Sequence, residues 1–148
     1  MPTNKEMEGF LSPHFTLVEA TCTSTGINNA PPSNMLAQLI KTACHMEIVR
    51  AHLSNSNCVI NSWYRSPAVN SAVGGSSTSA HLKGYAVDFT CATFGTPEQV
   101  VQKLRGLMQY DQLIWEHPKG RIPWVHISFD PRFRGQVLEF HDGKYTTM

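Results

Sequence analysis

The stretch SAHLKGYAVDF, residues 79–89, sets His81 and Asp88 seven positions apart with Gly84 between them. A glycine lets the chain reverse sharply, so an imidazole and a carboxylate can converge there. Strand alternation along YAVDF puts Tyr85, Val87 and Phe89 on one face and Ala86 and Asp88 on the other. A small residue beside the carboxylate is expected to leave open space above that face. WVHISF, residues 124–129, repeats the pattern, with Val125, Ile127 and Phe129 facing the core and Trp124, His126 and Ser128 facing away. If the two strands are neighbours, His126 joins Asp88. Two imidazoles and one carboxylate form a zinc donor set that leaves a fourth position for water. Glu116 ends the strand DQLIWE at the rim of the same face, where a carboxylate can act as general base on that water. Asp111, at the other end of that strand, is the fallback base. Arg65 follows INSWY and offers a guanidinium for a substrate carboxylate or a developing oxyanion. Ser79 can hydrogen-bond substrate or orient the loop that carries His81. Spacing and face parity alone leave metal ligands and ordinary solvated side chains as equal readings of His81, Asp88 and His126.

These residues need elements to position them. Apolar residues at Leu36, Leu39, Ile40, Ala43, Met46, Val49 and Leu53 recur in steps of three and four, which predicts an amphipathic core helix over 34–53. NCVINSWY (57–64) reads as a strand, and Ser66-Pro67 as an N-cap opening a short helix to about Val73. GGSSTS (74–79) is a small-residue loop delivering the chain to His81, and YAVDFT (85–90) is a strand. Thr96-Pro97-Glu98-Gln99 is a capping box for a helix to about Met108. Strands over 111–117 and 123–129 follow, joined by a turn around Pro118 to Gly120, and QVLEF (136–140) is a last edge strand. FTLVEAT (15–21) is a short strand or the start of a helical turn, and INNAPPSN (27–34) is a loop. Two or three helices on a small, largely antiparallel sheet make an α+β fold, and 148 residues suit a single domain over 1–148.

Bulk properties exclude several classes. A net charge of +1 gives no electrostatic reason to bind nucleic acid. No run approaches the roughly 18 apolar residues of a membrane span. MPTNKEMEGFLSPHF has no apolar run behind its charges, so no secretory leader is expected. Cys22, Cys44, Cys58 and Cys91 form no CxxC motif and are read as buried reduced thiols. His14, His45 and His52 are read as surface or core-edge residues. His117 adjoins Glu116 but points the opposite way, with a place at the site rim as its only functional reading.

S-A-H-L-K-G-Y-A-V-D at 79–88 resembles the S-x-H-x-x-G-x-A-x-D signature of the zinc D-alanyl-D-alanine carboxypeptidase and endopeptidase family, with its hedgehog-like metallopeptidase fold. NSWYRSPAVNSAVGGSSTSAH resembles the version found in phage and prophage peptidases, and WVHISF their second histidine strand. FTLVEAT and INNAPP resemble the N-terminal lead, so the likeness covers nearly the whole chain. It implies zinc held by His81, Asp88 and His126, a substrate-binding Arg65 and a supporting Ser79. It implies a monomer acting on peptidoglycan peptide, either as an endolysin-like peptidase or as a DD-carboxypeptidase. Such an enzyme would wait in the host cytoplasm until released to the wall, or ride on the virion. A non-catalytic zinc-stabilised wall-binding module and a cytoplasmic D-Ala-D-Ala dipeptidase are the alternatives. Two departures stand out. Many relatives carry the base three residues before the last histidine, where this chain has Pro123; other branches place it on the preceding strand, which fits Glu116. Trp63-Tyr64 stands where relatives often have Gly-Tyr, so Trp63 either narrows the site or packs behind it.

Overall fold

The computed structural model describes residues 9–148, so the reading of residues 1–15 as leaderless falls partly outside it. A small hairpin of β1 (Phe10–Ser12) and β2 (Phe15–Thr16) runs straight into α1 (Leu17–Ala20). FTLVEAT is therefore both strand end and helical turn. Its switch point is a capping box: Glu19 N donates to Thr16 Oγ1 at 3.2 Å, and Thr16 N donates to the Glu19 carboxylate at 3.0 Å.

A 3-10 turn at Ser33–Met35 feeds α2 (Leu36–His52). Leu39, Thr42, Ala43, Met46 and Val49 are its buried face, closed by Leu53. Leu36 and Ile40, expected on that face, are 45% and 41% exposed. At 100° per residue they stand roughly 80° and 120° around the helix from Met46, off the flank of the buried stripe.

The chain continues through β3 (Val59–Ser62), α3 (Pro67–Ala72), a second 3-10 turn (Ala80–Lys83), β4 (Ala86–Thr90) and α4 (Pro97–Leu104). β5 (Gln112–Glu116), β6 (Trp124–Ser128), β7 (Gln136–His141) and β8 (Lys144–Thr147) complete it. Ser66 caps α3 by accepting from Val69 N at 3.2 Å, as the Ser-Pro pair predicts. The Thr96–Gln99 capping box opens α4, but the helix stops at Leu104, short of Met108. Arg105 is extended and Gly106 takes a positive φ, which ends the helical run.

Strands order as β3-β4-β6-β5-β7-β8, antiparallel except for the parallel pair β5–β7. This is the expected α+β architecture, with one correction. β7 is neither last nor an edge, because β8 folds back on it through Asp142-Gly143, both at positive φ. Val87, Phe89, Leu113, Val125 and Ile127 on one sheet face join Leu39, Met46, Val100 and Leu104 of the helices in one buried core. Residues of opposite parity make the other face. There Ser62, Asp88, His126 and Ile114 stand opposite one another across four strands. All four cysteines are free; Cys58 and Cys91 are buried, Cys22 is half-buried, and Cys44 is exposed, contrary to expectation.

Candidate active site

The backbone around His81 explains why it can serve as a ligand. Gly84 sits at φ 72°, and a Cβ there would lie 3.1 Å from Leu39 Cδ2 and from Met35 Sδ. Only glycine takes this turn without strain or a clash with α2. Its carbonyl accepts from Thr42 Oγ1 at 2.7 Å and from Trp63 Nε1 at 3.3 Å, which ties the turn to the core. Ser79 caps the second 3-10 turn, its hydroxyl accepting from His81 N at 3.3 Å. The His81 carbonyl accepts from Arg65 N at 3.1 Å. The His81 ring is buried, with Nδ1 2.6 Å from the Trp63 carbonyl. A carbonyl only accepts, so Nδ1 carries a proton, and Nε2 is the ring nitrogen that faces Asp88.

Trp63 is fully buried and meets Phe15 edge-on, with ring centroids 6.3 Å apart. It packs behind the site and does not narrow it. Its carbonyl orients His81, and its indole holds the Gly84 turn.

Asp88 is 6% exposed and lies between two imidazoles. Its Oδ1 is 2.9 Å from His126 Nδ1, and its Oδ2 is 3.2 Å from His81 Nε2. One donor atom from each of His81, Asp88 and His126 lies within 4.8 Å of the others. Burial alone would raise the Asp88 pKa, but the facing His81 and the hydrogen bonds from His126 and His81 hold its carboxyl well below the usual carboxylate range. Burial pulls His126 down, yet its hydrogen bond and attraction to Asp88 raise it overall. Two imidazole donors and an ionised carboxylate, one imidazole orientated by a backbone carbonyl, fit a zinc ion in donor type and number. The open space expected above that face is present, a cavity lined by Asp88, Ile114, Glu116 and His126, although Ala86 itself is fully buried where the 3-10 turn packs on β4.

Arg65 is fixed from three sides. Nε donates to Ser62 Oγ at 3.1 Å, Nη1 to Asn70 Oδ1 at 3.4 Å and Nη2 to Asp88 Oδ2 at 3.3 Å. A guanidinium has five N–H groups, so two remain for a substrate oxygen. Asn29, which sequence reasoning missed, clamps the segment leading from β3 to α3: its side chain donates to the Thr21 and Tyr64 carbonyls and accepts from Ser66 N. Nothing in INNAPPS singles that asparagine out before the fold is known.

Glu116 faces the same side as His126, opposite Trp124 in the register. Burial and the Asp88 charge raise its carboxyl, while His126, Arg65 and Arg121 draw it back, leaving it pushed up to about 7. A carboxyl that exchanges its proton near neutrality beside a metal-donor cluster is suited to general acid–base work. Asp111 is placed differently. It is buried against Arg134, which donates to both carboxylate oxygens at 2.8 Å. Those bonds hold its carboxyl below the usual range despite burial, making it a poor proton acceptor. His117 turns to the opposite face, stacking on Trp115 at 3.9 Å and bonding Glu139 at 2.8 Å, so it has no place at the rim. Tyr145 of β8 does border the site cavity, and it escaped notice because β8 itself did.

The family model described as Peptidase M15 matches residues 11–128, which include every residue of this cluster. The chain belongs to the Peptidase M15 family. A comparison with curated proteins found no match. Peptidase M15 members are metallopeptidases, typically zinc-dependent, and among the described residues His81, Asp88 and His126 form a group that can hold the ion.

Proposed function

We propose that this M15 member is a zinc peptidase that hydrolyses a peptide bond in bacterial peptidoglycan, in stem peptides or their cross-links. The observation that carries the reading is the His81–Asp88–His126 donor cluster with the Glu116 carboxyl on the same sheet face. His81, Asp88 and His126 would hold the zinc, whose chemistry when bound is to polarise a carbonyl and make water acidic enough to attack at neutral pH. Glu116 takes a proton from the attacking water onto a carboxylate oxygen and later gives it to the nitrogen of the leaving amine. Arg65 aims its two remaining N–H groups at oxygen that gains negative charge during attack. Ser79 works through His81, since its hydroxyl caps the turn that presents the imidazole. The run at 61–81, with its likeness to phage and prophage peptidases, supports an enzyme that reaches the wall at lysis or on a virion.

A turbidity assay on purified cell walls tests this. Zinc-loaded protein should clear them, chelation should stop clearing, and added zinc should restore it. Unchanged clearing with chelator present would reject the metal. A protein that holds zinc and binds walls without releasing fragments would be a binding module.

A further inference from the structure

The family match ends at residue 128, yet the chain beyond it returns to the site. Arg132 and Arg134 line the same cavity, about 510 Å³, as His81, His126 and Glu116. Carboxylates hold both arginines along one edge only. Arg134 Nε and Nη2 each donate to Asp111 at 2.8 Å, and its backbone N donates to the same carboxylate at 3.0 Å. Arg132 Nε and Nη2 donate to Asp130 at 3.1 and 3.2 Å. Arg132 Nη2 also stands 3.8 Å from Asp111 Oδ2, so buried Asp111 draws both guanidiniums to one place. The turn between them is anchored. Phe133 N donates to the Asp130 carbonyl at 3.0 Å, and the Phe133 ring meets His45 of α2 edge-on at 6.2 Å. Phe133 takes a φ of 41°, uncommon for a bulky residue and kept only where the surroundings impose it.

A guanidinium has five N–H groups, so each arginine keeps three, both on Nη1 and one on Nη2. Those three form its end-on fork, whose geometry matches the two oxygens of a carboxylate. The Arg134 and Arg132 side chains are 35% and 60% exposed, which leaves the forks open to a ligand. Asp111 and Asp130 balance the two positive charges, so attraction here comes from aimed donors and not from net charge. Gln112 lines the same end of the cavity and stands two residues along β5 from Ile114, the Cα partner of His126. At about 3.4 Å per residue, that end lies about 7 Å along the strand from the metal-donor cluster. An extended peptide covers that distance in about two residues. We propose that Arg132 and Arg134 form a subsite for a carboxylate of the bound peptide, about two residues from the bond that is cut. This rests on the peptidase reading above and adds a specificity determinant, supplied by chain that the family match does not cover.

The test uses the zinc-loaded full chain and defined stem-type peptides, made in matched forms with each free carboxyl in turn replaced by its amide. One amidation should lower kcat/KM at least about tenfold, the lower end of what hydrogen bonds to a charged group contribute. The loss should lie in KM, as for a group remote from the reacting bond. Which amidation does so tells whether the subsite takes a chain end or a side-group carboxylate. Arg132→Gln and Arg134→Gln should each shrink the ratio between carboxylate and amide forms while zinc content holds. Arg132 is exposed, so its variant decides the matter even if freeing buried Asp111 from Arg134 unfolds the other. A ratio that Arg132→Gln leaves unchanged overturns the proposal and assigns the preference to Arg65. Equal rates on every form overturn it as well. Binding separates the subsite from the chemistry. By calorimetric titration, zinc-loaded Glu116→Gln should hold the carboxylate form at least about tenfold more tightly than the amide form. That preference without any cleavage by the unaltered protein would refute the peptidase reading and leave the subsite standing. Cleavage without the preference would refute the subsite alone.

Discussion

Replacing Glu116 by glutamine separates stability from turnover in a way the structure quantifies. The ordinary value for this carboxyl is 4.5, and in the fold it is pushed up to about 7, chiefly by burial. At about 1.4 kcal/mol per pH unit, its ionised form is disfavoured in the folded state by about 3 kcal/mol. The sign follows from proton counts. Between pH 4.5 and about 7 the folded chain keeps a proton that the unfolded chain has released, so stability falls as pH rises across that window. Below it both states are protonated, and above it the loss is complete. Glutamine keeps the shape and cannot titrate. Urea midpoints of chelator-treated protein should therefore show the Glu116 form losing about 3 kcal/mol relative to Glu116→Gln between pH 4 and pH 8. Comparing the same pair at two pH values cancels any constant difference in packing. With zinc bound the gap should narrow, because a nearby cation favours the ionised carboxylate. Turnover in Glu116→Gln should be lost while zinc stays bound. A stability difference that does not change with pH would refute the claim that Glu116 is a strained, near-neutral carboxyl.

Other substitutions divide the site by role. His126→Ala should lower zinc affinity by more than about 100-fold, beyond what changes to groups behind the ligands cost, as read by metal titration. Arg65→Lys should keep zinc but lower kcat/KM by about 100-fold, since an ammonium cannot replace the fork that bonds Ser62, Asn70 and Asp88 while still reaching substrate. Asp111→Asn should cost about 2 kcal/mol in urea unfolding yet leave turnover intact; the loss stays below the figure for a fully buried pair because Arg134 is 35% exposed. Gly84→Ala should cost about 1–2 kcal/mol for the left-handed backbone and weaken zinc binding by displacing His81.

Much of the site was legible because strand parity is a strict rule. Once YAVDF and WVHISF were strands, Asp88 and His126 had to share a face if the strands paired, and Cα register places them directly opposite. Glu116 followed by the same parity, and the likeness at 79–88 resolved the even choice that spacing left. What stayed hidden depends on contacts between distant segments. Asn29 bonds residues 21, 64 and 66, and no local pattern marks it. Asp111 was a plausible base until Arg134, 23 residues on, proved to hold it. Trp63 left two options because only the tertiary fold shows that its carbonyl meets His81. Other misses had local signals. Thr16-x-x-Glu19 is a capping box, Asp142-Gly143 a hairpin turn, and Gly106 a helix stop.

The most direct measurement combines zinc quantification with mass spectrometry of fragments released from defined peptidoglycan by the same sample. Hydrolysis predicts one zinc per chain and one new amine–carboxyl pair of ends at a fixed peptide bond, absent with Glu116→Gln and absent after chelation. Fragments cut at a sugar linkage, or the same peptide ends appearing from zinc-free protein, would contradict it.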